Sequence, residues 1–509
     1  MTSKRTFLGI LVLSTAALWV ATSASGAGSA DLEQRVVEHT LPNGLTVLIL
    51  PRPFAPVVSM VTYADVGSVD ENQNATGLAH IFEHMAFKGT TTVGTTDIER
   101  ELEAMKREDE AFAALREERM RRPQPDPERL AQLEEAFAAA VTEARQFVKA
   151  NELGEILERA GVQGLNAGTA FDQTVYMYSL PSNKLELWAT LEADRFTNPV
   201  LREFYTEKDV IMEERRMVMS QPVSRLIEDF LAVAFKASMY RSFIIGHESD
   251  IEGITRDQAR EWFARHYGAR NLTVAIVGDV DPVAVMPMLE RTLGAIPAGT
   301  KPGPVVTEEP PQRAEKRIVM EDPSQPILLM GYHKGDVNHP DHAVFEAISE
   351  VLAGGRSSRL YTALVKEKQV ALAAGAIPGL GQDKYPGLFL FFAVPNKGNS
   401  NAECEAAIEE EIARLKREPV SEAELAGVKA RTKAALLASL DSNMGLAMQL
   451  ASAENLEGDW REAFRSLDEV DRVTAEDIMR VASATFTRSN RTVGMIETAS
   501  EPADEPASP

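Results

Sequence analysis

Residues 77 to 90 read GLAHIFEHMAFKGT and place His80, Glu83 and His84 within five positions. The chain has eight histidines in 509 residues, so two of them four apart in an apolar run ask for a chemical reason. The spacing predicts a helix from which His80 and His84 project on one face. Two neutral imidazoles there can hold one Zn²⁺ at about 2.0–2.1 Å each. Glu83 stands one position before the second histidine, within reach of a water on that metal. The metal lowers the pKa of such a water toward ~7, and a carboxylate then takes the proton as the oxygen attacks a carbonyl carbon. A lone His-x3-His pair is more often two core or surface histidines. The glutamate and the apolar flanks favour the metal.

A catalytic zinc needs a third protein ligand and one open position. FYTEKDVIMEERRM, residues 204 to 217, supplies the best candidates. Glu207 and Glu214 are seven apart (214 − 207 = 7), two turns along one helix face, and Glu213 points elsewhere.

The elements that must position these groups follow from periodicity. VVEHTLPNGLTVLILPRPFAPVVSMVTYADVGS predicts a hairpin around Pro42-Asn43-Gly44 and then a further strand. TVYMYSLP and NLTVAIVGDVDP are strand-like; KLELWATLEADRF is helical. From Thr96 to Asn151 the pattern changes. Thr96 with Glu99 reads as a capping box, and Ile98, Leu102, Met105, Phe112 and Leu115 form one stripe. RRPQPDP breaks the helix, and Leu130, Leu133, Phe137, Val141, Ala144 and Val148 form a second stripe. The expectation is an antiparallel helical hairpin, either a partner-docking arm or a solvated insertion.

The second half replays the first. PILLMGYHKGDVNHPDHAVFEAISEVLAGG repeats the strand, turn and helix of VVSMVTYADVGSVDENQNATGLAHIFEHMAFKG, and RTVGMIET answers NLTVAIVGD. His80 falls near Ala347, Glu83 near Glu350 and His84 near Val351, so the second copy keeps the shape and loses both imidazoles. The expected fold class is α+β: two homologous α/β-sandwich domains from an internal duplication. The expected layout is a signal peptide over 1–30, a metal-bearing domain over 31–296 with the hairpin inserted at 96–151, a Pro/Gly/Glu-rich linker over 297–313, an inactive domain over 314–500 and a disordered tail over 501–509.

A formal charge of −23 excludes nucleic acid, since nothing basic would neutralise phosphates. Lys4 and Arg5, an apolar run from Phe7 to Val20 and the small residues up to Ala30 have the layout of a cleavable signal peptide. The run is short for a membrane span, so no stable insertion is expected after cleavage. Cys404 is the only cysteine, which excludes an internal disulfide. The expected location is periplasmic or secreted.

HIFEH, EKDVIMEE, LNAGTAFDQTVY, NLTVAIVGDVDP and LAGGRSSRLYTALVKEK together resemble the inverted-zincin family of pitrilysin, insulin-degrading enzyme and the mitochondrial processing peptidase. The likeness runs in order from about residue 34 to about 498. It implies that His80, His84 and Glu214 ligate one Zn²⁺ and that Glu83 is the general base. It implies that Glu207 is an accessory catalytic carboxylate that orients a ligand, and that Asn166 and Ala167 lie on a strand to which a peptide adds by main-chain hydrogen bonds. The family's second half offers an arginine and a tyrosine to the substrate. The matching stretch here is LVKEKQVALAA, with Lys366 or Val365 at the arginine and Leu372 at the tyrosine. A lysine cannot copy the guanidinium fork. The expectation is therefore an exported zinc-dependent endopeptidase that acts as a dimer, with a homologous subunit supplying the clamp. The alternative is a non-catalytic peptide-binding or assembly subunit.

Overall fold

Strands buried almost end to end, such as Val57–Ala64 and Leu272–Gly278, and helices with three- to four-residue apolar spacing between them build a two-sheet molecule. The computed structural model describes residues 31–122 and 124–499. The expected signal peptide and the 501–509 tail lie outside the described residues. The first half contains β1 (Val37–Thr40), β2 (Thr46–Pro51), β3 (Val57–Ala64), α1 (Leu78–Met85), α2 (Ile98–Arg119), α3 (Pro127–Arg145), α4 (Glu152–Ala160), β4 (Gln163–Thr169), β5 (Thr174–Pro181), α5 (Leu185–Thr197), α6 (Phe204–Met219), α7 (Pro222–Ala234), α8 (Glu248–Gly253), α9 (Arg256–His266), β6 (Leu272–Gly278) and α10 (Pro282–Thr292). The second contains β7 (Lys316–Asp322), β8 (Ile327–His333), α11 (His342–Ala353), β9 (Ala371–Ile377), β10 (Leu388–Pro395), α12 (Asn401–Arg417), α13 (Glu422–Ser439), α14 (Asn443–Leu456), α15 (Glu462–Arg472), α16 (Ala475–Thr485) and β11 (Arg491–Thr498).

The sheets are ordered β1-β2-β6-β3-β5-β4 and β7-β11-β8-β10-β9. Without the edge strand β1 they superimpose in order and sense: β2 and β6 run parallel, as do β7 and β11, and the next neighbours are antiparallel in both. The duplication is thus written in the topology. The helix α1 that follows β3 answers α11, which follows β8.

Alternation along the strands gives each sheet two apolar faces. One face of the first sheet (Val47, Ile49, Met60, Tyr176, Ile276) packs under α1, α5 and α6. Its other face (Leu48, Leu50, Val61, Ala275, Val277) is covered by Leu446, Leu450 and Ala451 of α14, from the second half. Reciprocally, Leu329, Leu390 and Ile496 of the second sheet are covered by Leu226, Phe230 and Leu231 of α7, from the first half. Phe230 lies so close to β8 and β11 that a Cβ on Gly331 or Gly494 would come within 2.8 or 2.9 Å of its ring. Packing therefore crosses the 297–312 segment in both directions. That segment is extended but not free: Glu309 accepts the N–H groups of Lys236, Ala237 and Ser238.

The helical hairpin is present as α2 and α3, with two departures from expectation. The N-cap of α2 is Asp97, whose side chain accepts from Arg100 N, and not Thr96. Thr96 instead donates to Phe147 O, tying the two ends of the hairpin together. Leu102 is 44% exposed, whereas Glu101 and Glu108 are buried. The inward face of α2 is chosen by two arginines: Glu101 pairs with Arg202, and Glu108 with Arg256. Buried ion pairs bolt α2 to the body, while α3 buries only Leu133, Ala140 and Ala144 and leaves most of its surface to solvent.

Candidate metal centre

Helix α1 begins at Gly77 and buries Leu78, Ile81, Phe82 and Met85. Phe82 packs against Tyr267 and Phe263, with ring centroids 4.1 and 4.7 Å apart. The buried Glu71 accepts from Gly77 N and Ala79 N at 2.8 Å each, which gives two of the helix's orphan donors a partner; burial pushes this carboxyl up to about 8. With that face locked, His80 and His84 emerge together toward α6, their ring centroids 4.8 Å apart.

Glu214 on α6 meets them: its Oε2 is 3.7 Å from His80 Nε2 and 3.6 Å from His84 Nε2. Tetrahedral zinc with bonds of ~2.1 Å sets its ligand atoms about 3.4 Å apart, so this donor set has the chemistry and the span for the ion. The three donor atoms all lie within 4.8 Å of one another, and among the described residues no other group of three His, Cys, Asp or Glu does so. Glu213 turns to solvent and pairs with Arg216 at 2.9 Å.

Glu207 accepts from His84 Nδ1 at 2.9 Å, which turns Nε2 toward Glu214. Its other oxygen takes the Lys88 ammonium. His80 Nδ1 is buried and has no partner among the described residues. Burial pushes His80 down to about 4, so its ring is neutral and available as a donor at neutral pH. Burial also acts to lower His84. The hydrogen bond and charge of Glu207, with Glu83 and Glu214, outweigh it and hold His84 above its ordinary value. Burial would raise Glu207, but the hydrogen bonds from His84 and Lys88 keep it below the usual carboxylate value.

Glu83 lies beside the two imidazoles, and Thr169 Oγ1 donates to its Oε2 at 2.6 Å. Thr169 closes β4, the last strand of its sheet, which carries Asn166 and Ala167 opposite Met177 and Tyr176 and leaves its outer edge open. A cleft of about 540 Å³ between that edge and the histidine helix is lined by Glu83, His84, Lys88, Asn166, Ala167 and Glu207. In the second half, Ala347 and Val351 are buried apolar residues and Glu350 pairs with Arg431. Lys366 lies in a π-helical turn over Tyr361–Glu367, and Leu372 is 55% exposed on the edge strand β9.

Two family models cover this architecture. The insulinase (peptidase family M16) model matches residues 46–120 and 130–247, and the peptidase M16 inactive-domain model matches residues 253–432. The chain belongs to peptidase family M16. It is 26% identical over 463 residues to the zinc protease PqqE of Helicobacter pylori, covering 88% of this chain and 89% of that one. It is 22% identical to the uncharacterized zinc protease YmxG of Bacillus subtilis, covering 89% and 96%. Among solved structures, a protease from Helicobacter pylori superimposes with a TM-score of 0.75 at 23% identity, over 91% of this chain and 99% of that one. The first half of the periplasmic protease PqqL from Escherichia coli does so with a TM-score of 0.67 at 18% identity, over 92% of each.

Two residues of this M16 site escape the sequence reading. Lys88 is four positions after His84 but lies in the loop beyond the end of α1 at Met85, so helical spacing does not announce it. Thr169 is three positions after Asn166 on the strand already singled out, but nothing in its type announces a carboxylate partner.

Proposed function

We propose that this M16 chain is a zinc-dependent endopeptidase that hydrolyses peptides or unfolded protein segments. The observation that carries the reading is the convergence of His80, His84 and Glu214, with His84 and Glu83 lining a cleft whose other wall is an open strand edge. Relatives named zinc proteases support the metal and the reaction class. His80, His84 and Glu214 would hold the ion, which supplies Lewis acidity toward a peptide carbonyl and acidifies water. Glu83 takes the proton of the attacking water and returns it to the leaving amine, with Thr169 fixing the carboxylate's rotamer. Glu207 holds the His84 ring in one tautomer. A peptide would add along the outer edge of β4 near Asn166 and Ala167, bound through its main chain, which makes few demands on sequence.

We extend the proposal to export, from the layout of residues 1–30, and to a dimer in which a homologous subunit supplies the arginine–tyrosine clamp that the stretch 365–372 lacks. The decisive experiment pairs zinc analysis with peptide cleavage. Glu83→Gln retains one zinc per chain and loses cleavage, and His84→Ala loses both. An active Glu83→Gln chain overturns the assignment of the base. A wild-type chain that binds zinc tightly yet cleaves no peptide, alone or with a homologue, favours the assembly-subunit reading.

A further inference from the structure

One buried guanidinium ties the loop that leaves the histidine helix to the turn that enters the glutamate helix. Arg202 is 1% exposed and uses all five of its N–H donors. Nη1 donates to Lys88 O at 2.6 Å and to Val93 O at 2.8 Å, and Nη2 to Thr90 O at 2.6 Å. Nε donates to Glu101 Oε1 at 2.8 Å and Nη2 also to Glu101 Oε2 at 3.4 Å. The three carbonyls belong to the loop that leaves α1, three to eight residues after its end at Met85. Arg202 itself stands two residues before α6 begins at Phe204. Glu101 comes from α2 of the hairpin and is 0% exposed.

The surroundings are built around this side chain. A Cβ on Gly89 or on Gly94 would come within 2.7 Å of Arg202 Nη1, so both glycines admit the guanidinium. Leu201 and Glu203, on either side of Arg202, both have φ of +55°. Bulky and charged residues rarely take that left-handed conformation, and a pair of them flanking one residue marks backbone held in place by its contacts. Arg256, paired with Glu108 and Asp109 of the same hairpin, grips Leu201 O at 3.2 Å from the other side. Glu203 reaches Lys88 Nζ at 3.5 Å and Arg145 of α3 at 3.6 Å.

We propose that Arg202, backed by Glu101 of the hairpin, is a positioning residue of the metal centre: it locks the loop leaving the histidine helix to the turn entering the glutamate helix. The inference rests on the metal reading above and assigns the hairpin a task inside its own chain. His80 and His84 ride on one helix and Glu214 on the other, so their 3.6–3.7 Å approach is only as exact as the registration of α1 on α6. Misplacement by about 1 Å costs on the order of 100-fold in rate. A lysine at 202 would keep the charge but has three donors on a flexible stem, and it cannot span three carbonyls and a carboxylate at once.

The test uses the full chain with Arg202→Lys and, separately, Glu101→Gln. Arg359→Lys serves as control, since it breaks a matched pair with Glu424 (both N···O distances 2.8 Å) in the second half. Zinc affinity is read by chelator competition, loop order by hydrogen exchange at amides 88–94, and turnover by kcat and KM on a peptide. The expected result for both test variants is zinc binding weakened about 10-fold or more, faster exchange at 88–94, and kcat lowered with KM within about twofold. The control should lose thermal stability with zinc affinity unchanged. Should Arg202→Lys not fold, Glu101→Gln carries the test. Test variants that lose stability but keep zinc affinity, exchange and kcat well below their melting temperature overturn the proposal. A wild-type chain that takes up no zinc would sink the metal reading first; exchange at 88–94 then still decides whether Arg202 locks loop to turn.

Discussion

Glu207→Gln tests what the carboxylate shared by His84 and Lys88 contributes to the metal centre. The substitution keeps volume and an acceptor for His84 Nδ1 but removes the charge. The bond is 2.9 Å long and the Glu207 side chain is 12% exposed, so solvent screens it little. Hydrogen bonds to charged groups contribute about 1.5–3 kcal/mol and neutral ones about 0.5–1.5. The loss is therefore about 1–2 kcal/mol, or roughly 5- to 30-fold in zinc affinity. Glu214→Gln replaces a ligand oxygen and should cost more. Glu213→Gln should cost within about 0.5 kcal/mol, because its side chain is 75% exposed and pairs only with Arg216 on its own helix. Competition titration against a fluorescent chelator resolves these classes. If Glu207→Gln binds zinc within twofold of wild type, or if Glu213→Gln matches Glu214→Gln, the registration of α6 argued here is wrong.

Thr169→Val removes the hydroxyl that donates to Glu83 and should lower kcat about 10-fold with zinc content unchanged, as a charge-assisted bond of roughly 1.5 kcal/mol implies; an unaltered kcat would show that Glu83 needs no such restraint. Gly494→Ala drives a Cβ to 2.9 Å from the Phe230 ring and 3.3 Å from Leu226, an overpacking worth about 1–3 kcal/mol in urea denaturation; a neutral result would mean that α7 lies farther from the second sheet. Burial, with Asp383 close by, pushes Glu346 up to about 7 from an ordinary 4.5, while Lys334 pulls the other way. The folded chain thus holds this proton more tightly than the unfolded one, and the stability it contributes is full below about 4.5 and is lost as pH rises through about 7. Glu346→Gln should accordingly raise Tm at pH 8 and leave it nearly unchanged at pH 4; the reverse ordering would refute the sign.

Where the sequence could be read, one physical rule decided. Four-residue spacing put His80 with His84, seven-residue spacing put Glu207 with Glu214, and neither needed tertiary information. The duplicated strand pattern was legible because alternation is local. The failures share a cause. The apolar stripe of α2 reads through Leu102, and only the fold reveals Arg202 and Arg256 drawing Glu101 and Glu108 inward in its place. The cap moved from Thr96 to Asp97 because Thr96 has a partner 51 residues away at Phe147. The apolar stripes of α7 and α14 say that each helix is covered, and nothing in them says by which sheet.

That last point bears on how the molecule comes into being. Because α14 closes the first sheet, a ribosome must synthesise past residue 456 before the earliest strands lose their exposed face. The N-terminal half cannot be completed as it emerges, and folding waits for the chain end, a high-contact-order route that leaves apolar surface open to chaperones meanwhile. Cut within 297–312, the two pieces would each display the face that the other's helix fits. They would behave as complementing fragments that recombine into one body, where ordinary tandem domains would part as two.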